Sequence, residues 1–344
     1  MTLEVFLDDT PGELRAVVER DGRAEHILIE RADTPAQIRL GARSIGRVRQ
    51  SAPGLKGAFV DLGGGLEAFM PIRGGISAPV GAKVEVEISA ERREAKAPVA
   101  RWMGAGQGDV RLLADGPTLM QTLHTLAPGV EPVTGREAIE AGWRAVDEAR
   151  SPGALPGGLV QVERTRAMIA VDVDLNAHDM SRARPKDETN RLAMREAARL
   201  IRLNRWGGLV AIDLIGAQHD GKAILKAAQV AFQAAFADDA SIVFGPVNRF
   251  GVLMLSLPWG RTPLEEILYA DGRRRILRPE QAAQEAVRRL RFALLDDKTR
   301  ARVTLRCPPA IAALAAPLVA QLGPRAHLKP DTAAGSGAFA IEAE

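Results

Sequence analysis

The first hundred residues alternate apolar and polar positions with a period of two, and helical periodicity enters only later in the chain. Leu3-Glu-Val-Phe-Leu7, Glu13 to Val18 and His26-Ile-Leu-Ile-Glu30 read as three strands, broken by turn-forming Asp8-Asp-Thr-Pro11 and Asp21-Gly22. They predict a meander. Gly46 to Arg49, Gly57 to Leu62, Leu66 to Met70 and Lys83 to Ile88 follow as four or five strands punctuated by glycines, a spacing that predicts a small closed barrel of OB type. Thr118 to Leu126 and Arg136 to Ala149 read as helices around the turn Ala127-Pro-Gly129, and Ser151 to Gly158 as a linker.

Gly157 to Ser256 organises the rest. Leu159 to Val162 and Ala167 to Val171 form a predicted hairpin across Glu163-Arg-Thr-Arg166, and the second run continues into Asp172-Val-Asp174. Leu209-Val-Ala-Ile-Asp-Leu-Ile215 is apolar on both sides of Asp213, the pattern of a strand covered on both faces, so Asp213 is expected to be enclosed. An enclosed carboxylate costs several kcal/mol without a positive partner, and a metal ion or an arginine supplies one. Asp172 and Asp174 share one face of their strand by its period of two, so three carboxylates converge if the two strands are neighbours. Hard oxygen donors of this kind suit Mg²⁺ or Mn²⁺.

A polar loop from Asn176 to Asp187, containing His178, leads into a predicted helix from about Glu188 to Trp206. Arg191, Arg195, Arg199 and Arg202 recur on that helix at helical spacing, either as a solvated face or as contacts to a phosphate backbone. Asp220 is a good N-cap for an amphipathic helix reaching Ala237, and Ile242 to Phe244 and Phe250 to Ser256 are two further strands. Pro279 to Leu295 and Ile311 to Leu322 read as helices, with short strands at Ala301 to Cys307, Ala326 to Leu328 and Ala338 to Ile341. The basic run from Arg273-Arg-Arg275 to Arg306 is a possible extension of an anionic path.

Composition narrows the classes. The 344 residues are 46% hydrophobic but only 4% aromatic, so an aromatic on a surface is notable; net charge is +3 with a pI of 9.2. Clustered basic residues point to an anionic partner. No apolar run is long enough to span a membrane, and Met1-Thr-Leu-Glu4 lacks the basic start of a signal peptide, so a cytoplasmic protein is expected. The single cysteine, Cys307, leaves no internal disulfide and no Cys-x-x-Cys zinc site.

The run Glu163 to Asp174, followed by a loop and helix, then Gly207-Gly-Leu-Val-Ala-Ile-Asp213 and Asn248-Arg-Phe-Gly251, resembles the catalytic core of the ribonuclease E/G family in order and spacing. The resemblance covers Gly157 to Ser256 well and Ile45 to Arg101 moderately. It implies that Asp172 and Asp213 hold a catalytic Mg²⁺, with Mn²⁺ as the substitute. Asp174 stands where the family has Asn, and Gly216 where it has a second acidic residue. The barrel is similar to the family's S1-like RNA-binding barrel. On that likeness Phe59 and Phe69 stack on bases, with core packing as the competing role, and Lys96 contacts RNA from the following turn. Arg249 matches a position near the active centre, or else pairs with an acid. A sensor arginine of the family falls on Ser241, so sensing of a 5′-monophosphate is expected to be reduced. The lone Cys307 removes the family's zinc-linked assembly.

These readings predict an α+β multidomain protein. Residues 1–105 form an N-terminal β region holding the OB barrel at about 38–100, residues 106–156 a helical connector, 157–261 a mixed α/β nuclease domain and 262–344 a small α/β end. The activity implied by the resemblance is Mg²⁺-dependent hydrolysis of single-stranded RNA at internal phosphodiester bonds, with Asp172, Asp213 and Asp174 catalytic. A non-catalytic RNA-binding protein on the same fold is the alternative. A phosphotransferase using Asp172-Val-Asp174 as its nucleophile motif leaves Asp213 without a role.

Overall fold

The computed structural model describes residues 2–74, 78–175, 185–216, 220–236, 241–270, 276–333, 335 and 338–343. The chain divides into two compact units, one of residues 1–145 with 261–344 and one of residues 146–260. His178 and Arg273 to Arg275 lie outside the described residues.

The first unit opens with an antiparallel meander of β1 (Leu3–Asp8), β2 (Glu13–Arg20) and β3 (Arg23–Arg31). Next come β4 (Arg43–Ala52), β5 (Gly57–Gly63), β6 (Leu66–Pro71), β7 (Lys83–Ala90) and β8 (Val99–Ala105). They close into a five-stranded barrel: β4 pairs with both β5 and β7, β5 with β6, and β8 bridges β6 and β7. Period-2 alternation sends Val48, Ala58, Val60, Leu62, Ala68, Met70, Val84, Val86, Ile88 and Ala100 inward, where they form the barrel core. β9 (Arg111–Ala114) pairs with β4, and α1 (Leu119–Leu126) is started by a capping box between Thr118 and Gln121. β10 (Val133–Thr134) runs parallel to β1, and α2 (Arg136–Arg150) leads out of the unit.

The second unit is one six-stranded sheet with two helices. Its strands are β11 (Gly153–Leu155), β12 (Gly158–Arg164), β13 (Ile169–Leu175), β14 (Gly208–Asp213), β15 (Val243–Val247) and β16 (Val252–Leu257), in the spatial order β11-β12-β13-β14-β16-β15. Only β13 and β14 are parallel, and α3 (Lys186–Leu203) makes the crossover between them. α4 (Gly221–Ala235), N-capped by Asp220, connects β14 to β15. Val171, Val173, Val210, Ile212, Leu253 and Leu255 face the two helices and pack on Met194, Ala197, Ile201, Ile224, Ala228 and Phe232.

Three expectations are corrected here. Ser151 to Gly158 is no linker, because β11 pairs with β12 as the sheet's edge strand. The arginines of α3 do not share one solvated face: Arg191 and Arg195 are exposed, whereas Arg199 is buried and bonded to Glu196 and Glu148 at 2.7 and 2.9 Å, and Arg202 donates to the Ala235 carbonyl. A spacing of four residues drifts around a helix of 3.6 residues per turn, so the series rotates from solvent into the packed side. Asp213 is exposed, because both helices cover a single face of the sheet and Leu209, Ala211 and Asp213 point to the other.

The remaining elements return to the first unit: α5 (Leu264–Leu268), α6 (Pro279–Asp296), β17 (Val303–Cys307), α7 (Pro309–Val319), β18 (Ala326–Pro330) and β19 (Ala340–Ala343). The sheet order is β18-β17-β19. A buried ion network fastens α6 to the meander: Arg288, fully buried, donates to Asp8 at 2.5 Å, Glu13 at 2.8 Å and Glu285 at 3.1 Å. Glu13 also accepts from Arg15 at 2.8 Å and Arg31 at 3.1 Å. Burial by itself would raise the Glu13 pKa, but Arg15, Arg288 and Arg31 outweigh it and hold the carboxyl down at about 2.

Candidate active site on the open sheet face

β13 and β14 run parallel in a register that pairs Asp172 with Asp213. Paired residues of adjacent strands point to the same side and stand about 5 Å apart. Asp172 lies midway along β13 and Asp213 ends β14, and the two form the last pair of the parallel β13–β14 ladder, at its carboxyl end, the end at which open α/β sheets place their ligands. The row continues across the sheet as Gln161, Asp172, Asp213 and Val252.

Asp174 is on the same face, one side-chain repeat or about 7 Å further along β13. Its neighbour on β12 is Leu159, itself 38% exposed. Gly158 makes this packing possible, since a Cβ there would stand 2.3 Å from the Asp174 carbonyl oxygen. The three aspartates therefore share a face without closing into one cluster. Among the described residues no group of three His, Cys, Asp or Glu side chains is close enough to hold a metal ion. The expected three-carboxylate convergence is corrected to a registered pair with a third acid beyond it.

Neither Asp172 nor Asp213 has an ion pair or side-chain hydrogen bond among the described residues, so two like charges face each other in adjacent strands uncompensated. Such pairs destabilise a sheet, and a cation between them removes the repulsion. Two carboxylates are also the usual protein share of a Mg²⁺ site, the other positions being filled by water and phosphate. The donor set at Asp172 and Asp213 fits such an ion.

The residue that fixes the exit from β14 was not among the expected site residues. Asn190, on α3 and fully buried, accepts from the Ile215 amide at 3.0 Å and donates to the Ile215 carbonyl at 3.2 Å. It pins the backbone two residues beyond Asp213. An amide in the helix stripe shared with Ala193, Met194 and Ala197 was the available signal, because a polar residue on a core-facing stripe must be hydrogen-bonded.

The β15–β16 hairpin brings Arg249 to the same end of the sheet. Asn248 Oδ1 accepts from the amides of Phe250 at 2.9 Å and Val252 at 3.1 Å, and Gly251 takes a positive φ of 82° that closes the turn. Arg249 is exposed in this turn and has no carboxylate partner among the described residues. Its guanidinium lies 4.8 Å from the Phe250 ring centroid.

The barrel residues lie in the other unit. Phe59 and Phe69 pair across β5 and β6 on the outside of the barrel, edge to face with centroids 5.4 Å apart, and both are half-buried. Core packing inside the barrel is thereby excluded for both. Gly57 leaves room for this, as a Cβ there would come within 2.3 Å of the Phe69 ring. Lys96 is exposed in a tight turn closed by its amide on the Arg93 carbonyl, three residues before Val99, which is the β8 partner of Phe69. Ser241, where the sensor arginine would fall, is exposed.

No helix among the described residues is long and apolar enough to cross a membrane. No curated protein matches the chain. Residues 147–257 match the model of the Ribonuclease E/G family, a span that coincides within a few residues with the second compact unit and contains both registered aspartates, Asn190 and the Arg249 turn. Through that segment the chain is similar to the ribonuclease E/G family, and the activity such a likeness implies is, in general terms, that of a ribonuclease.

Proposed function

We propose that the chain is a Mg²⁺-dependent endoribonuclease that hydrolyses internal phosphodiester bonds of single-stranded RNA. The observation that carries this reading is the Asp172–Asp213 register: two carboxylates without a partner among the described residues, side by side on an exposed face, at the carboxyl end of the parallel β13–β14 ladder. Asp172 and Asp213 hold the ion, Mg²⁺ or Mn²⁺. When bound, such an ion polarises a phosphoryl oxygen and offsets the charge that builds on the scissile phosphate. Asp174, further along the same face, orients the attacking water and receives its proton. Arg249, without a carboxylate partner among the described residues, neutralises a neighbouring phosphate.

We read the barrel as OB-type and S1-like. Its strand order and the parallel β6–β8 pairing suit that class, and Phe59 and Phe69 occupy the β5–β6 outer surface, the second and third strands on which OB folds bind oligonucleotides. Stacking on two phenylalanines contributes roughly 1 to 3 kcal/mol per base and tolerates sequence, and Lys96 adds a phosphate contact. The expected partner is single-stranded RNA, with no membrane and no zinc-linked dimer, in the cytoplasm.

One observation favours the alternative of a non-catalytic RNA-binding protein: Asp174 does not close with the registered pair into a three-carboxylate site. Cleavage of a 5′-labelled, AU-rich single-stranded RNA, with and without Mg²⁺, decides between the two. Internal products that require both the metal and Asp213 are expected, and Asp213→Asn should abolish them. Salt-sensitive RNA binding by the wild type without any product would leave the binder.

A further inference from the structure

Phe250 is 72% exposed, the highest value among the large hydrophobic side chains of the described residues, in a chain with 4% aromatic residues. Such a ring on a turn tip has no packing role to explain it. Three features give it a use. The Asn248 side chain and Gly251 hold the turn in one shape, so the ring is presented at little entropic cost. Arg249 lies against one side of the ring at 4.8 Å, placing a cation beside an aromatic surface. Phe250 sits in the turn two residues before Val252, the register partner of Asp213, so its backbone stands at most about 7 Å from the end of the carboxylate row.

We infer that Phe250 is a base-stacking residue that fixes the nucleotide next to the scissile phosphate. The base lies on the Phe250 ring, and the Arg249 guanidinium meets the phosphate of that nucleotide. The next phosphate then falls at Asp172 and Asp213. The duplex would be excluded, because its bases are already stacked and paired and cannot lie on the ring. The inference rests on the nuclease reading for the position of the scissile bond, though not for the stacking itself.

The test uses the full chain carrying Asp213→Asn and a short single-stranded RNA in which 2-aminopurine replaces one base at a time. Quenching at one position is expected, and Phe250→Ala should remove it there while leaving any quenching by the barrel unchanged. Affinity should fall roughly 5- to 150-fold, as expected for loss of one base stack. Phe250→Trp should keep both signals. An RNA made abasic at that same position should bind Phe250→Ala as well as the intact RNA does, whereas the parent protein should prefer the intact RNA. Identical quenching and affinity in the presence and absence of the ring would overturn the inference. Cleavage by the Asp213 protein is measured separately: if it is missing while the Phe250-dependent quenching persists, the nuclease reading fails and the stacking role stands.

Discussion

Two groups of acidic residues in this molecule behave in opposite ways. In the first unit Asp8, Glu13 and Glu285 are surrounded by Arg15, Arg31, Arg288 and Arg291, and each carboxylate has a cation within hydrogen-bonding distance. On the sheet face of the second unit Asp172 and Asp213 stand in register with no cation among the described residues. Carboxylates that serve the fold are neutralised by the fold. Carboxylates left exposed beside one another raise the free energy of the sheet slightly, and they are kept where something from solution supplies the charge.

The sharpest break between the groups comes from removing one member of each. Arg288→Met strands Asp8 and Glu13 without their buried partner, and urea unfolding should show a loss of about 3 to 5 kcal/mol. Asp213→Asn should do the reverse, cutting the rate of Mg²⁺-dependent RNA cleavage by at least ~100-fold while leaving the unfolding midpoint unchanged or slightly higher. A large stability loss in Asp213→Asn would show that the carboxylate serves the fold after all.

Acid acts on the first unit in two windows. Burial first, and Arg20 second, push the His26 pKa from 6.5 to about 4. The folded imidazole then stays neutral while the unfolded one protonates, so stability falls as pH drops from 6.5 to 4, by on the order of 1 to 3 kcal/mol. Glu13 has a depressed pKa, so its contribution is complete above 4.5 and is lost as pH falls from 4.5 toward 2. Urea midpoints measured from pH 7 to 3 should decline in both windows, and His26→Gln should flatten the upper one alone.

Asn190→Ala leaves the Ile215 amide and carbonyl unpaired and should cost about 1 to 3 kcal/mol in urea unfolding. Cleavage should fall as well, since the backbone after Asp213 loses its tether. The smallest effects belong to the RNA path. Lys96→Ala and Arg249→Ala should each lower the slope of log affinity against log salt by about 1 without moving the unfolding midpoint.

Much of the architecture was legible in the alternation of the chain. The meander, the closed barrel and the β-helix-β order around Asp172 and Asp213 all follow from period-2 runs interrupted by turn residues. So does the placement of the aspartates, because a period of two assigns each residue a face once the strand is known. Alternation is blind to what covers each face. Leu209 and Ala211 made β14 look doubly covered, yet α3 and α4 occupy one side only, so Asp213 is exposed. A similar limit applied to Ser151 to Gly158, whose glycines and prolines mark a turn whether or not the strand between them finds an edge.

By itself the sequence determined which residues are acidic, which faces they share and where strands and helices begin, because these depend on local period and turn chemistry. Only the tertiary structure decided which strands are neighbours and which charges are neutralised. It brought Arg288 to Glu13 across 275 positions, turned Arg199 inward, put Phe59 and Phe69 outside the barrel and left Phe250 bare at the hairpin tip. Those outcomes turn on contacts between residues far apart in the chain, and no local period encodes them.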